Sequence, residues 1–271
     1  RSGRDRLCPI PAGAAGRHFR TLALPESLIA KWSTRFGGAE RSFEPLIGSI
    51  SRHRLVDAGH HVVDADVTAK SCSLLLEGFA ARYRILSSGR RQISAIHLPG
   101  DFVDLHDFLL ARTTQGVVTL TPCRLATIDH ETLRLRAATE PQLTQLLWAD
   151  ALVDAEVARE WLVAMGRRSA LGRLAHLICE LCVRLRVAGK ARHMTFPLPL
   201  TQADLADTLG LSVVHVNRVL KILRTQRLIL LEDHTVTVLD WQELAQLAEF
   251  DASYLGFGDF RMIAPESTVS A

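Results

Sequence analysis

A chain of 271 residues, 48% of them apolar, can fill two modest cores, because a single hydrophobic core usually closes at about 100–150 residues. A charged fraction of 23% and a formal net charge of +3 are ordinary for a soluble globular protein, so the overall balance does not itself demand a nucleic-acid partner. No apolar run reaches the roughly 18 residues that a membrane span needs, the opening Arg1-Ser2-Gly3-Arg4 has no apolar secretory core, and five cysteines without regular spacing point to a reducing, cytoplasmic setting.

Residues 1–40 read as a flexible lead rich in Arg, Gly, Ala and Pro, closed by a short helical pattern over Pro25–Phe36. A second helical pattern covers Phe43–Ile50 and opens a β-rich unit expected over 41–138. Within it, short β-leaning runs fall at His60–Val63, Ser73–Leu76, Ala80–Leu86, Gln92–His97, Gly116–Leu120 and Cys123–Ile128. Ser88-Gly89 suits a hairpin turn, since glycine takes the positive φ required there, and Pro99-Gly100 ends the following run. Many short strands with such turns suggest a barrel or jelly-roll-like fold.

The pattern turns helical over 139–166, with Pro141 in a first turn, where its missing N–H costs nothing. Leu143, Leu146, Val153 and Val157 form a stripe broadened by Leu147, Ala151, Ala158 and Trp161. A helix this long is expected to pair with a copy of itself, although Asp150 and Asp154 beside the stripe also suit packing on its own domain. Gly166 to Ser169 marks a break, with Ser169 an N-cap for a helix carrying Leu171, Leu174, Ala175, Ile178 and Leu181. Cys179 and Cys182 fit its packed face.

The segment LPLTQADLADTLGLSVVHVNRVLKILRTQRLI holds two helix starts in quick succession. Thr201 and Asp204 form a capping box, with Leu200 stapled against Leu205; Gly210 permits a turn, and Ser212 caps a second helix. Val216, Val219, Leu220 and Leu223 bury its inner side and leave His215, Asn217, Arg218 and Lys221 outside. This is the pattern of a helix-turn-helix, whose second helix enters the major groove. Arg218 and Asn217 have the chemistry to read guanine and adenine edges, followed by His215 and, through a thymine methyl, Val214. Lys221, Arg224, Arg227 and His234, with the cap hydroxyls of Thr201 and Ser212, are assigned to the phosphate backbone. LILLEDHTVTVLDW reads as a hairpin turning at Asp233-His234, a wing beside the motif. Asp240 and Glu243 open a last helix, completing a DNA-binding unit over 167–250 and leaving 251–271 as an irregular tail. Between Arg167 and Asp240 eleven Arg or Lys face six Asp or Glu, a local excess that suits phosphates.

With LLLEGFAARYRILSSGRRQISAIHLPGDFVDLHDFLL and VVTLTPCRLATI ahead of that motif, the chain beyond residue 40 resembles the Crp/Fnr superfamily of bacterial regulators, above all its alphaproteobacterial branch. The resemblance implies an α+β fold: an N-terminal cyclic-nucleotide-binding-like β-roll, a long dimerisation helix and a C-terminal winged helix-turn-helix. It implies a cytoplasmic homodimer that binds palindromic double-stranded DNA, contacts RNA polymerase, takes a small-molecule effector on the roll, and neither catalyses a reaction nor enters a membrane. The docking geometry is that of the catabolite activator, a worked example of the general rule for these motifs.

Several departures bear on the effector. Where cyclic-nucleotide-binding members carry Gly-Glu and then Arg-Ser or Arg-Thr around the phosphate, this chain has Gly100-Asp101 and Arg112-Thr113, in a lengthened segment containing His106 and Asp107. A response to cAMP is therefore not expected; a cyclic-nucleotide-responsive regulator, or a sensor working through protein contacts, is the alternative. Iron–sulfur members use four thiolates, whereas the effector half here has Cys8, Cys72 and Cys123. His60, His61, His97 and His106 read as surface or strand-edge residues, so no cofactor is assigned. Val213-Val214 replaces the Arg-Glu pair early in the recognition helix, so the operator should differ.

Overall fold

The computed structural model describes residues 26–37, 43–65, 67–110 and 114–257, leaving the expected lead over 1–25, Arg112, Thr113 and the tail beyond 257 outside. Two short helices come first, α1 (Glu26–Phe36) and α2 (Glu44–Ile47). Seven antiparallel strands follow: β1 (Ile50–Val56), β2 (His61–Val63), β3 (Ser71–Glu77), β4 (Ala80–Ile85), β5 (Arg91–His97), β6 (Gly116–Thr119) and β7 (Cys123–Asp129), with the one-turn α3 (Asp107–Leu110) between β5 and β6. They form a three-stranded sheet ordered β1-β7-β3 and a four-stranded sheet ordered β2-β6-β4-β5. Leu75, Val103, Val117 and Leu125 fill the space around which the two sheets roll.

The hairpin falls where it was expected, with Gly89 at φ +80° and the Leu86 N–H donating to the Arg90 carbonyl. The pattern over Phe43–Ile50 gives only one helical turn before β1. The sequence does not reveal that strand because ISRHRLV does not alternate: it is an outer strand, exposed at Ser51, Arg52, His53 and Leu55, with a register shift after Ile50. Two short helical pieces, α3 and α4 (His130–Thr139), were likewise unforeseen.

The long helix, α5 (Pro141–Arg167), runs about 40 Å at 1.5 Å per residue. Arg168 is extended, and the Ser169 hydroxyl accepts the Gly172 N–H to start α6 (Ala170–Val187). The third strand of the wing sheet, β8 (Thr195–Pro197), comes next, then α7 (Gln202–Leu209), α8 (Val213–Thr225), β9 (Ile229–Glu232), β10 (Thr235–Val238) and α9 (Trp241–Ala248). Residues from 251 are not loose where they are described: a 3-10 turn, Ala252–Leu255, buries Leu255 and Phe257.

The break at 166–169 does not separate two cores. Phe79, Ile93, Ile96 and Leu98 of the four-stranded sheet and its exits share one apolar cluster with α6, α7, α8 and the wing. A second cluster joins Leu28 and Trp32 of α1 to Leu74, Phe102 and the first turns of α5. Helix α6 is thus packed on both the roll and the helix-turn-helix.

Candidate nucleic-acid interface

The local rules that start and stop helices build the motif. The Thr201 hydroxyl accepts the Asp204 N–H at 3.1 Å, and the Asp204 carboxylate accepts the Thr201 N–H at 3.0 Å, closing the capping box of α7. Gly210 ends that helix at φ +64°, a left-handed conformation that glycine takes without a Cβ penalty. Ser212 then caps α8 by accepting the His215 N–H at 3.2 Å. Val216, Val219, Leu220 and Leu223 are buried, which holds α8 against α6 and α7.

The opposite face of α8 is open. Val214, Asn217, Arg218 and Lys221 lie at helical steps of three, one and three residues, all exposed and all on one side. Val214 is 71% exposed. His215 is half-buried on the flank. Among the described residues the side chains of Asn217, Arg218, Lys221, Arg224 and Arg227 have no hydrogen bond, and none of the four cations has an ion pair, so their charge is free for an external anion.

Arg227 stands at φ +56° just past α8, with the Leu228 N–H reaching back to the Leu223 carbonyl, so the chain turns directly into the wing. Asp233 and His234 both have positive φ, which matches a two-residue hairpin and leaves His234 exposed at its tip. Between α8 and the wing runs an open groove of about 830 Å³ lined by Gln202, Asn217, Lys221, Arg224 and Arg227, with Leu230 and Leu239 on its floor. The structure thus gathers Asn217, Lys221, Arg224 and Arg227 on one groove, with Val214 and Arg218 on the same open face of α8; Thr201 and Ser212 are exposed, with their hydroxyls already engaged as caps.

Of the expected effector pocket, Gly100 and Asp101 lie among the described residues. Gly100, at φ +93°, lies so close to α1 that a Cβ there would stand 2.9 Å from the Ser27 carbonyl. Asp101 is buried; one oxygen takes Lys31 Nζ at 3.0 Å, and the other takes an Arg184 guanidinium N–H at 2.8 Å and the Leu98 N–H at 2.8 Å. Burial would raise this carboxyl, yet Lys31 and Arg184 hold it well below the usual carboxylate range. Lys31 also reaches Asp150 at 3.2 Å, which pairs with Arg35 and accepts the Trp32 indole N–H. Arg184 pairs with Glu180, which also accepts Trp161 and Tyr254. This buried network joins α1, the roll, α5, α6 and the 3-10 turn; nothing in the sequence reading anticipated it.

His97 is not at a surface but fully buried at the end of β5, and burial keeps it neutral, well below the usual imidazole range. His60 and His61 are spent on Arg54 and Tyr83, each at 2.9 Å, and His106 stands 3.2 Å from Asp107. Cys179 and Cys182 are buried in α6 as expected, and burial pushes the Cys182 thiol up to about 12. Cys72 and Cys123 are buried thiols of the roll, and Cys8 lies outside the described residues.

On α5, the stripe assigned to a second copy faces the other way. Leu143, Leu146 and Val157 are buried in the chain's own clusters, and Val153 packs toward Gly256. The outward apolar residues are Trp148, Leu152, Leu162 and Val163, between 49% and 67% exposed. Trp148, Leu152, Ala155, Arg159 and Leu162 follow one another by four, three, four and three residues, the spacing of a coiled-coil seam.

Among known proteins, residues 53–138 match the cyclic nucleotide-binding domain family, and residues 172–247 match the Crp-like helix-turn-helix domain family. The nitrogen fixation regulation protein FixK of Azorhizobium caulinodans is 26% identical over 224 residues, covering 81% of this chain and 86% of that one. FixK of Bradyrhizobium diazoefficiens is 30% identical over 213 residues, with 77% and 85% covered. The solved structure of FixK2 from Bradyrhizobium japonicum superposes with a TM-score of 0.68 at 25% identity, over 74% of this chain and 98% of that one.

Proposed function

The chain belongs to the Crp/Fnr family of DNA-binding transcription regulators, and from that premise we propose that it acts as a homodimer paired along α5, reading a palindromic operator with the exposed face of α8. One observation carries this reading: Val214, Asn217, Arg218 and Lys221 form a single open face whose cations have no partner among the described residues. Arg218 and Asn217 read base edges and Val214 meets a thymine methyl, while His215 touches the rim of the site. Lys221, Arg224, Arg227 and His234 hold phosphates, and Thr201 and Ser212 present helix starts to the backbone. RNA polymerase is the further partner in this reading, and the cytoplasm its location.

The dimer contact in this reading is the outward stripe of Trp148, Leu152, Leu162 and Val163, because the opposite side of α5 is already filled. In this reading the roll does not respond to cAMP: Asp101, at the position of the family's acid, is buried with its oxygens on Lys31, Arg184 and the Leu98 N–H. Catalysis is not part of the reading, and no group of three or more His, Cys, Asp or Glu among the described residues is set to hold a metal. No helix among them is long and apolar enough to cross a membrane.

The test is a fluorescence titration of a palindromic DNA library at two salt concentrations. Arg218→Ala should relax selection at one position of each half-site, losing about 1–3 kcal/mol of discrimination there. Lys221→Ala should weaken all sequences alike and flatten the salt dependence. Sequence-independent affinity at both salts, or one protomer per duplex, would overturn the reading.

A further inference from the structure

The helix-turn-helix is fastened to the roll at two places of different character. The first is α6, whose Arg184 donates to the Ile96 carbonyl at 2.9 Å and to Asp101, amid the shared apolar cluster. It is buried and part of the core. The second lies at the start of β5, where Arg91 Nε stands 2.7 Å from Asp207 and its terminal nitrogen 2.6 Å from Asp204, two carboxylates three residues apart on α7. Next to it the Gln92 amide donates to the Thr208 carbonyl at 3.3 Å. Asp204 divides its oxygens: one completes the capping box and the other takes Arg91. A guanidinium fork can span both acids at once, which a single ammonium cannot.

From this geometry we infer that Arg91 is a positioning residue that sets the half-site spacing of the operator by tying α7 to the roll. The inference rests on the paired-helix reading above. Gly210 and the shared apolar face lock α7 to α8, so holding α7 at one angle holds the recognition helix at one angle. If α5 defines the two-fold axis, that angle fixes where the second recognition helix falls, about 34 Å from the first. Helix α8 is about 20 Å long; tilting it by roughly 10° carries its far end about 3.5 Å, one base-pair step. The Arg91 side chain is 29% exposed, so it can be removed while the buried α6 contact keeps the domain attached. Neither Arg91 nor Gln92 lies on the exposed face of α8, and the effect therefore differs from a lost DNA contact.

The experiment uses the full chain and fluorescence anisotropy on two kinds of duplex: one selected half-site, and palindromes whose central spacer is the selected length or longer or shorter by one and two base pairs. The parent protein should prefer one spacer by roughly tenfold or more over its neighbours. Arg91→Ala should keep half-site affinity within about twofold and flatten that preference to about threefold or less, while Arg91→Lys should fall between. Thermal melting of each variant checks that the fold persists, and a purely stabilising ion pair would leave the spacer profile unmoved. Arg91→Ala with the parent's spacer profile and intact half-site binding would overturn the inference alone. Loss of half-site affinity in Arg91→Ala would also overturn it, by moving Arg91 into the reading surface or its fold. A parent protein without any spacer preference would overturn the paired-helix reading and the inference with it.

Discussion

Replacing Lys31 by Met tests the buried network that holds α1, the roll and α5 together. Lys31 is only 6% exposed, and its ammonium stands 3.0 Å from Asp101 and 3.1 Å from Asp150. Met keeps most of the aliphatic stem and removes the charge. Asp101 would retain Arg184 and Asp150 would retain Arg35, so neither carboxylate is stripped bare, but three buried acids (Asp101, Asp150, Glu180) would then face two guanidinium groups. Breaking a buried pair in this way costs about 3–5 kcal/mol, and the remaining partners place the loss near the lower end, about 3 kcal/mol. At about 2–4 °C per kcal/mol for a chain of this size, the midpoint should fall by roughly 6–12 °C. Thermal melting measures the midpoint and urea unfolding the free energy, both followed by tryptophan fluorescence, since Trp32 and Trp161 are both bonded into the network. A double-mutant cycle with Asp101→Asn should show coupling of at least about 1 kcal/mol. A loss below about 1 kcal/mol, or additive single effects, would refute the argument that these charges are mutually compensating.

Two further outcomes concern pH and assembly. Burial, with Asp107 nearby, raises the Asp104 carboxyl to about 7, although it accepts the Ser73 N–H at 2.6 Å; because the folded form keeps a proton that the unfolded chain has released, this group costs stability as pH rises from about 4 to 7. Asp104→Asn should therefore gain on the parent over that window, by up to roughly 4 kcal/mol at pH 8, and parallel melting curves at pH 5 and 8 would count against it. His97 acts in the opposite sense: its depressed folded value means stability is lost as pH falls below about 6.5 in parent and variant alike, so the comparison cancels it. On α5, Leu152→Glu should leave the fold and half-site binding intact and shift sedimentation to the monomer, whereas Val157→Glu should lower the melting temperature. A dimer that survives Leu152→Glu would exclude the outward stripe as its seam.

The helix-turn-helix was legible because its determinants are local. A capping box spans three residues, Gly210 marks its own turn, and the burial of Val216, Val219, Leu220 and Leu223 follows the helical period. The hairpin at Ser88-Gly89 and the wing turn at Asp233-His234 were equally readable, since each is set by backbone conformations that few residues tolerate. What escaped the sequence is non-local. Lys31 meets Asp101 across 70 residues and Asp150 across 119, and Arg91 meets Asp204 across 113; no periodicity carries that information. Strand β1 escaped for a different reason: as an outer strand its side chains are mostly in solvent, so the alternation that reveals a half-buried strand is missing.

Helix α5 shows how a correct helix can be given the wrong face. It carries apolar residues on two sides, and hydrophobic spacing alone cannot rank them, because Leu143–Leu146–Val157 and Trp148–Leu152–Leu162 both fit a helical stripe. Asp150 and Asp154 beside the first stripe leave packing on the chain's own domain open as the alternative. In the structure Asp150 points inward, because Lys31, Arg35 and the Trp32 indole on α1 satisfy it there. A carboxylate can lie in an apolar stripe when another element brings the counter-charge, and once it does, that stripe is committed to the interior: turning α5 to present Leu143 and Val157 to a partner would strand Asp150, Lys31 and Arg35 without one another. The charge beside the stripe thus decides its direction, and leaves the tryptophan side of α5 as the surface open to a second copy.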